Sequence, residues 1–555
     1  MLGLSSDDVT ADPLGSPEAA EALWLSVGHA EPLAAVRAIC DALAASVERR
    51  TPHIDRVRSL FVVDRHAQLL LERLLLRLAS TPVDAPAQER QLRHAVFELC
   101  RALAQGYHQF LQQARSSWFR NDWRDAVPAI LVRLFYHRQV ELLLHLFRYE
   151  PWPHGRWRET HDIYGWWRRI APPAHAGNGR DAMAMPPTPD GMYARMLLVQ
   201  RLDCGQFTAP ELAFARRRIA RWSGLVSLSP LATSAPMPRN AFVVDLAGAD
   251  GLRRASGALD HGRCLWLDTA PIATAVRQEL DEMRGSSSSA HGGRSELLSR
   301  LGDLFAPSGE PVERRGARSP VALTSVQATV GGLASIFAML RTQSKLAAPG
   351  EAHGVPARLA TPATGTGPAS VDGSMHSGVP DDASSRFPST ASFGVPQLAW
   401  QVRDRSESGS RLRGRVSNPR RTMPGSLMAF REDDGAPWTL AIVRRLARLP
   451  GSNVQVGVEH LGRDPQPLVL APMDSATGPG ATQERFPALY LRDCAIAVRR
   501  PTKALVVPAA CFERGRIFTA ISTTRETSVR LGEAIEHRDD FVLAPFEVAA
   551  TPRVS

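Results

Sequence analysis

The sequence predicts a multi-domain α+β protein: an α-helical N-terminal bundle, a mixed α/β middle, and a C-terminal antiparallel β-barrel with a disordered insert. Three observations lead there. Apolar residues recur at three- and four-residue spacing from about Glu18 to Val140. Strand-like and helical runs alternate between Asn240 and Leu304. From Leu398 onward, short strand-like runs broken by Gly and Pro follow one another closely.

A chain of 555 residues has room for three or four domains, each with its own core. Its 44% apolar and 22% charged residues are ordinary for globular protein. The net charge of +10 is spread thinly over this length. It suits an anionic partner, but it is not the clustered basic face of a DNA or RNA binder, and neither is expected. The six cysteines are isolated, with no CxxC pair, which suits a reducing cytosol and no disulfide or zinc framework. The acidic start (Asp7, Asp8, Asp12, Glu18) does not read as a secretory signal. No uncharged apolar run approaches membrane-spanning length. A cytoplasmic protein, not inserted in a membrane, is the expectation.

In the first segment, 18–175, Leu69, Leu70, Leu71, Leu74, Leu75 and Leu78 mark one helix. Leu92, Val96, Leu99, Leu103 and Tyr107 form the stripe of a second, and a third runs near Trp123 to Phe147. Ser80-Thr81-Pro82 separates the first two. His154, Glu159 and His161 invite a metal reading, but Trp157, His161 and Tyr164 share a helix face, which is a packing pattern. The segment 190–305 begins with a helical stretch, Asp190 to Leu225. It continues with strands at Ala241–Ala247 and Cys264–Asp268, a helix at Thr269–Met283 and another at Ser295–Leu304. A β module is expected over 306–342 and 396–550. The intervening 343–395 is rich in Ser, Gly, Pro, Ala and Thr, cannot bury enough surface to offset its chain entropy, and reads as a disordered insert.

Two motifs flank that insert. Arg314 and Arg318 form an R-x-x-x-R immediately before a strand. Asp404-Arg405-Ser406-Glu407-Ser408-Gly409 is a D-x-S-x-x-G at a strand-to-turn boundary. Together they resemble the paired signature of PilZ domains. Trp438–Leu446 and Val454–Leu461 are similar to the later strands of such barrels. More widely, the chain resembles uncharacterised proteobacterial proteins with a helical N-terminal region and a PilZ-like end. The resemblance implies a cyclic-di-GMP ligand and no cofactor. Arg314 and Arg318 would hold phosphate and guanine, while Asp404, Ser406 and Gly409 would form the facing wall.

The chemistry suits that ligand. Guanidinium groups grip phosphates and match guanine O6 and N7 in a plane. A carboxylate accepts from guanine N1–H and N2–H, and a glycine permits positive φ or close approach. Arg411–Arg415 adds positive charge nearby. The alternative is a degenerate barrel in which Asp404 and Ser406 cap a turn and Arg314–Arg318 is a solvated basic linker.

No nucleophile elbow, zincin motif, Walker loop or dinucleotide fingerprint occurs. Asp245 and Asp268 end strand-like runs without a histidine or metal partner. The expected function is therefore a non-enzymatic cyclic-di-GMP-responsive receptor or adaptor whose helical region contacts a partner protein. The competing function is a scaffold that binds no nucleotide.

Overall fold

The structure, a computed structural model, describes residues 12–47, 54–82, 85–116, 125–171, 188–203, 205–230, 242–255, 263–285, 292–306, 319–347, 398–416, 422–433, 435–451, 453–473, 484–494, 502–522 and 525–549. The chain divides into two compact units, Met1–Glu313 and Arg314–Ser555.

The first unit contains helices α1 (Pro17–Val27), α2 (Pro32–Val47), α3 (Ile54–Ala79), α4 (Pro86–Ser116), α5 (Val127–Leu146), α6 (His154–Ile170), α7 (Pro189–Gln200) and α8 (Ala209–Trp222). Strands β1 (Leu228–Pro230), β2 (Phe242–Asp245), β3 (Arg253–Arg254) and β4 (Cys264–Leu267) form an antiparallel sheet in the order β1-β4-β2-β3. Helices α9 (Ala270–Gly285) and α10 (Gly292–Phe305) follow. All of these except β3 contribute to one continuous apolar core.

The predicted stripe on α4 is buried along its whole length, and α3 stops at Ala79, just before Ser80-Thr81-Pro82. Helix α5 is buried on every side, which explains an apolar pattern too continuous to show one face. The helical stretch expected over Asp190–Leu225 is broken into α7 and α8. Gly205 adopts φ +63°, and Thr208 with Glu211 forms a capping box that starts a new helix with Pro210 in its first turn.

His161 lies inside this core. One ring nitrogen is 2.6 Å from the Tyr193 hydroxyl and the other 2.9 Å from the Asp250 carbonyl oxygen, while Trp157 stacks on the ring. Glu159 instead accepts from Arg138 and Arg156. The face Trp157–His161–Tyr164 is thus a packing face, as its spacing predicts. Among the described residues, no three His, Cys, Asp or Glu side chains are grouped to hold a metal ion. No described helix is long and apolar enough to cross a membrane.

The second unit is antiparallel β-structure. Strand β5 (Ser319–Gly331) leads into α11 (Leu333–Ala347). Then come β6 (Leu398–Ser406), β7 (Gly409–Arg415), β8 (Leu427–Arg431), β9 (Thr439–Arg448) and β10 (Asn453–Arg463). These strands close into a barrel in the order β10-β7-β6-β5-β8-β9.

A second ring comprises β11 (Gln466–Pro472), β12 (Phe486–Cys494), β13 (Thr502–Pro508), β14 (Ile517–Ile521), β15 (Glu526–Leu531), β16 (Glu536–His537) and β17 (Phe541–Val548). It runs β13-β12-β11-β14-β15-β17 and closes through β13–β17, with β16 added on β17. Residues 343–347 of the expected insert belong to α11, and the rest of that insert lies outside the described residues.

The two rings share a core. Helix α11 is wedged between them, its Ile336, Phe337 and Leu340 packed with Leu440 and Ile442 of the first ring and Leu489, Val506 and Leu543 of the second. Asp540 caps α11 by accepting from the Leu333 backbone N–H at 2.7 Å. Arg444 completes the joint: it donates to Glu459 and, through both terminal nitrogens, to Glu536, each at 2.8 Å.

Candidate functional site

Strands β6 and β7 form a hairpin whose last pair is Ser406–Gly409, with Glu407 and Ser408 as its two-residue turn. The D-x-S-x-x-G therefore occupies the closed end of this ribbon. Opposed residues on neighbouring antiparallel strands share a face. Because Ser410, Leu412 and Gly414 are buried, Gly409, Arg411 and Arg413 lie on the outer face. Asp404 is opposite Arg411 and Ser406 opposite Gly409, so Asp404 and Ser406 share that outer face.

A bulge makes this possible. Val402 pairs with Leu412 but Asp404 pairs with Arg411, leaving Arg403 extra. The shift turns the strand after Val402, so the acidic residue points out and Arg405 takes the inward register opposite Ser410.

The outer row continues across the barrel wall. Arg411 is opposite Gly457 on β10, and Gly457 is opposite Arg445 on β9. Gly457 thus makes a low point between two arginines, with Asp404 at the end of the row. Asp404 and Arg411 form an ion pair at 3.2 Å. The Ser406 hydroxyl donates to the Gly409 carbonyl oxygen at 3.3 Å.

The glycine serves the fold. It is not among the positive-φ glycines of the described residues. A Cβ on Gly409 would sit 2.5 Å from the Val458 carbonyl oxygen, so β7 and β10 approach as closely as they do only because no side chain is there.

Behind this row, Arg405 pairs with Glu432. His460 lies within 3.0 Å of the Ser410 hydroxyl and against Phe430. Burial first, then the nearby Arg405 and Arg463 cations, pushes its pKa from 6.5 down to about 4, so the ring is neutral near pH 7.

Arg314 and Arg318 lie outside the described residues. The strand that follows them is described. Ser319 pairs with Arg405 and Pro320 with Asp404, so β5 begins beside the D-x-S-x-x-G. Sequence reasoning places Arg411 near the site only as part of a basic run. It misses Arg445 and Gly457 altogether, because their proximity depends on register across three strands.

The second unit is thus a closed six-stranded antiparallel barrel bearing an acidic-and-arginine row on one hairpin, joined to a second ring. The other unit carries the family signal. Residues 18–233 match the family model described as "Cyclic-di-GMP receptor FimW, N-terminal domain". Through this segment, less than half of its length, the chain is similar to cyclic-di-GMP receptors. No curated protein and no solved structure gives a match.

Proposed function

We propose that the chain is a non-enzymatic cyclic-di-GMP receptor in which the dinucleotide lies on the outer face of the β6–β7 ribbon and the helical unit contacts a partner protein. The observation that carries this reading is the register of β5. Ser319, which follows Arg318 in the sequence, is opposite Arg405, so β5 starts beside the D-x-S-x-x-G. In this reading the arginine motif, which precedes β5, is brought to the same edge of the barrel as the D-x-S-x-x-G. The family match of the helical unit, obtained from a different part of the chain, supports the same ligand.

In this reading Asp404 and Ser406 face a guanine edge, and Arg314 and Arg318 grip phosphate and guanine. A guanine donating N1–H and N2–H to Asp404 competes with Arg411 for the carboxylate. Arg411, once displaced, is beside Gly457 and in position for a phosphate.

Isothermal titration of the full chain with cyclic-di-GMP tests the reading. Arg318→Ala and Asp404→Ala should each weaken binding about tenfold or more, since a hydrogen bond to a charged group contributes roughly 1.5–3 kcal/mol. No heat at tens of micromolar protein, or wild-type binding in both variants, refutes it.

A second reading has an observation in its favour. Asp404, Ser406 and Gly409 each have an internal structural role, which is what a scaffold with a ligand-free barrel requires. A partner retained equally with and without the dinucleotide in pulldown favours that scaffold.

A further inference from the structure

We propose that Gly457 lacks a side chain for the sake of a ligand, and that a phosphodiester of the dinucleotide settles on β10 there, clamped between Arg411 and Arg445. The inference rests on the receptor reading above. It adds to that reading a phosphate subsite separate from Arg314 and Arg318, and it gives Gly457 and Arg445 roles in binding.

The glycines of this barrel wall differ in what the fold asks of them. A Cβ on Gly414 would run into the Trp400 ring, and one on Gly409 would stand 2.5 Å from the Val458 carbonyl oxygen, so packing requires both. A Cβ on Gly457 would meet only the Arg445 Cβ, at 3.5 Å, which is ordinary van der Waals contact. Gly457 is not among the positive-φ glycines of the described residues. The strand is irregular beside it, since Gly457 pairs with Arg445 but Val458 with Val443. The extra residue there is Arg444 of β9, so the bulge is not on the strand that carries the glycine. A glycine in mid-strand packs nothing and loses the most chain entropy on folding. Space, dihedral and bulge all leave Gly457 unexplained, and close approach of another molecule to the backbone explains it.

The neighbours say which part of the ligand comes here. Arg411 and Arg445 flank Gly457 on either side, about 10 Å apart across two strand spacings. Guanidinium forks rooted at that separation can meet above the glycine, and a tetrahedral anion offers oxygens to both. Along β10 the adjoining positions are Gln455, which is neutral, and Glu459, whose carboxylate is held by Arg444 at 2.8 Å. Across the wall, from Asp404 to Arg445, the order is carboxylate, cation, glycine, cation. A guanosine phosphate lying along the row presents its N1–H and N2–H edge, then its ring, then its phosphate in that order.

Thermal melting and isothermal titration of the full chain with cyclic-di-GMP test the subsite together. Gly457→Ala and Gly457→Val should melt no lower than the wild type, because a Cβ has room and glycine is the poorer strand residue. Their affinity should fall in steps, to about tenfold or more for valine. Arg445→Ala should also lose about tenfold or more, and Arg445→Lys, which keeps the charge without the fork, should regain only part. A Gly457→Ala variant that melts lower than the wild type shows that the fold needs this glycine and overturns the proposal. Binding lost in Asp404→Ala but unchanged in Gly457→Val and Arg445→Ala overturns the subsite alone and leaves the receptor reading standing. No heat from the wild type removes both.

Discussion

Gly409→Ala separates what the barrel needs from what a ligand needs. The added Cβ would stand 2.5 Å from the Val458 carbonyl oxygen, whereas ordinary contact begins at 3.4 Å. The shortfall is about 0.9 Å, and the obstacle is backbone rather than the end of a flexible side chain. Val458 is held on both sides, opposite Ser410 on β7 and Val443 on β9, and the next residue pair is tied by the His460 N–H donating to the Ser408 carbonyl at 2.9 Å. Strands β7 and β10 must therefore separate beside Gly409.

Forcing one methyl into such a contact costs roughly 1–3 kcal/mol. In a unit of this size, about 2 kcal/mol lowers the melting temperature by roughly 4–8 °C. Calorimetry of the full chain should show this loss in one of its transitions, and hydrogen exchange should locate it in β7 and β10. Gly435→Ala in the same unit is the control, because its Cβ would meet nothing within 4 Å. A Gly409→Ala variant that melts with the Gly435→Ala control refutes the packing argument and leaves ligand approach as the reason for the glycine.

Three further outcomes follow from the same contacts. His460 is disfavoured as a cation in the fold, so stability present above pH 6.5 should fall as pH drops from 6.5 towards about 4, by about 3 kcal/mol at the bottom of that window; His460→Gln should flatten this slope in denaturant titrations. Arg444→Ala should cost roughly 1.5–3 kcal/mol in the same titrations by removing charge-assisted hydrogen bonds to Glu459 and Glu536, while Arg538 still binds Glu536. Burial raises the Glu536 pKa, but the bonds and charges of Arg444 and then Arg538 outweigh it and leave it lowered, so this cluster stays stabilising above the ordinary 4.5 and is lost only as pH falls through the depressed value. In the helical unit, Asp64 is fully buried and accepts from the Tyr107 hydroxyl at 2.8 Å, with His137 at 2.9 Å and Arg133 at 3.2 Å. Asp64→Ala should destabilise this unit by about 3–5 kcal/mol in calorimetry, because it leaves buried polar partners unpaired.

Helices with one apolar face were legible because their period survives in the sequence: Leu92, Val96, Leu99, Leu103 and Tyr107 face inward as their spacing requires. Strands were also legible where Gly and Pro bound them, and the runs Trp438–Leu446 and Val454–Leu461 fall on β9 and β10. The short β1 and β3 of the first unit were missed, and so were β7 and β11 of the second. In β7 the inward set is Ser410, Leu412 and Gly414, so the apolar half of the alternation is weak and the arginines dominate. In β11 prolines at both ends read as turn signals. The division of the β-rich part into two rings was not legible at all, since β10 runs into β11 with the same spacing as any hairpin. Only the pairing partners distinguish the rings. Of the candidate site, the placement of Asp404 and Ser406 at a strand end was legible. The row Asp404–Arg411–Gly457–Arg445 was not, because it exists only across the sheet.

The long separation between the two motifs is explained by where the chain leaves the barrel. Strands β5 and β6 are antiparallel neighbours, paired from Ser319–Arg405 at one end to Ala328–Leu398 at the other. The chain leaves β5 beyond Ala328, into α11, and enters β6 at Leu398. Seven residues of β6, about 23 Å, separate that end from the pair beside Asp404. The chain therefore enters β6 at Leu398, the end of the strand pair remote from Asp404. The closure cost of the connection grows only with the logarithm of its length. The register that brings Ser319 beside Arg405 is set by the inward Val326, Trp400 and Val402, all buried, and a slip of one residue would expose that set. Sequence distance between the motifs is thus the length of the connection between β5 and β6, and the β5–β6 register beside Asp404 is set independently of it.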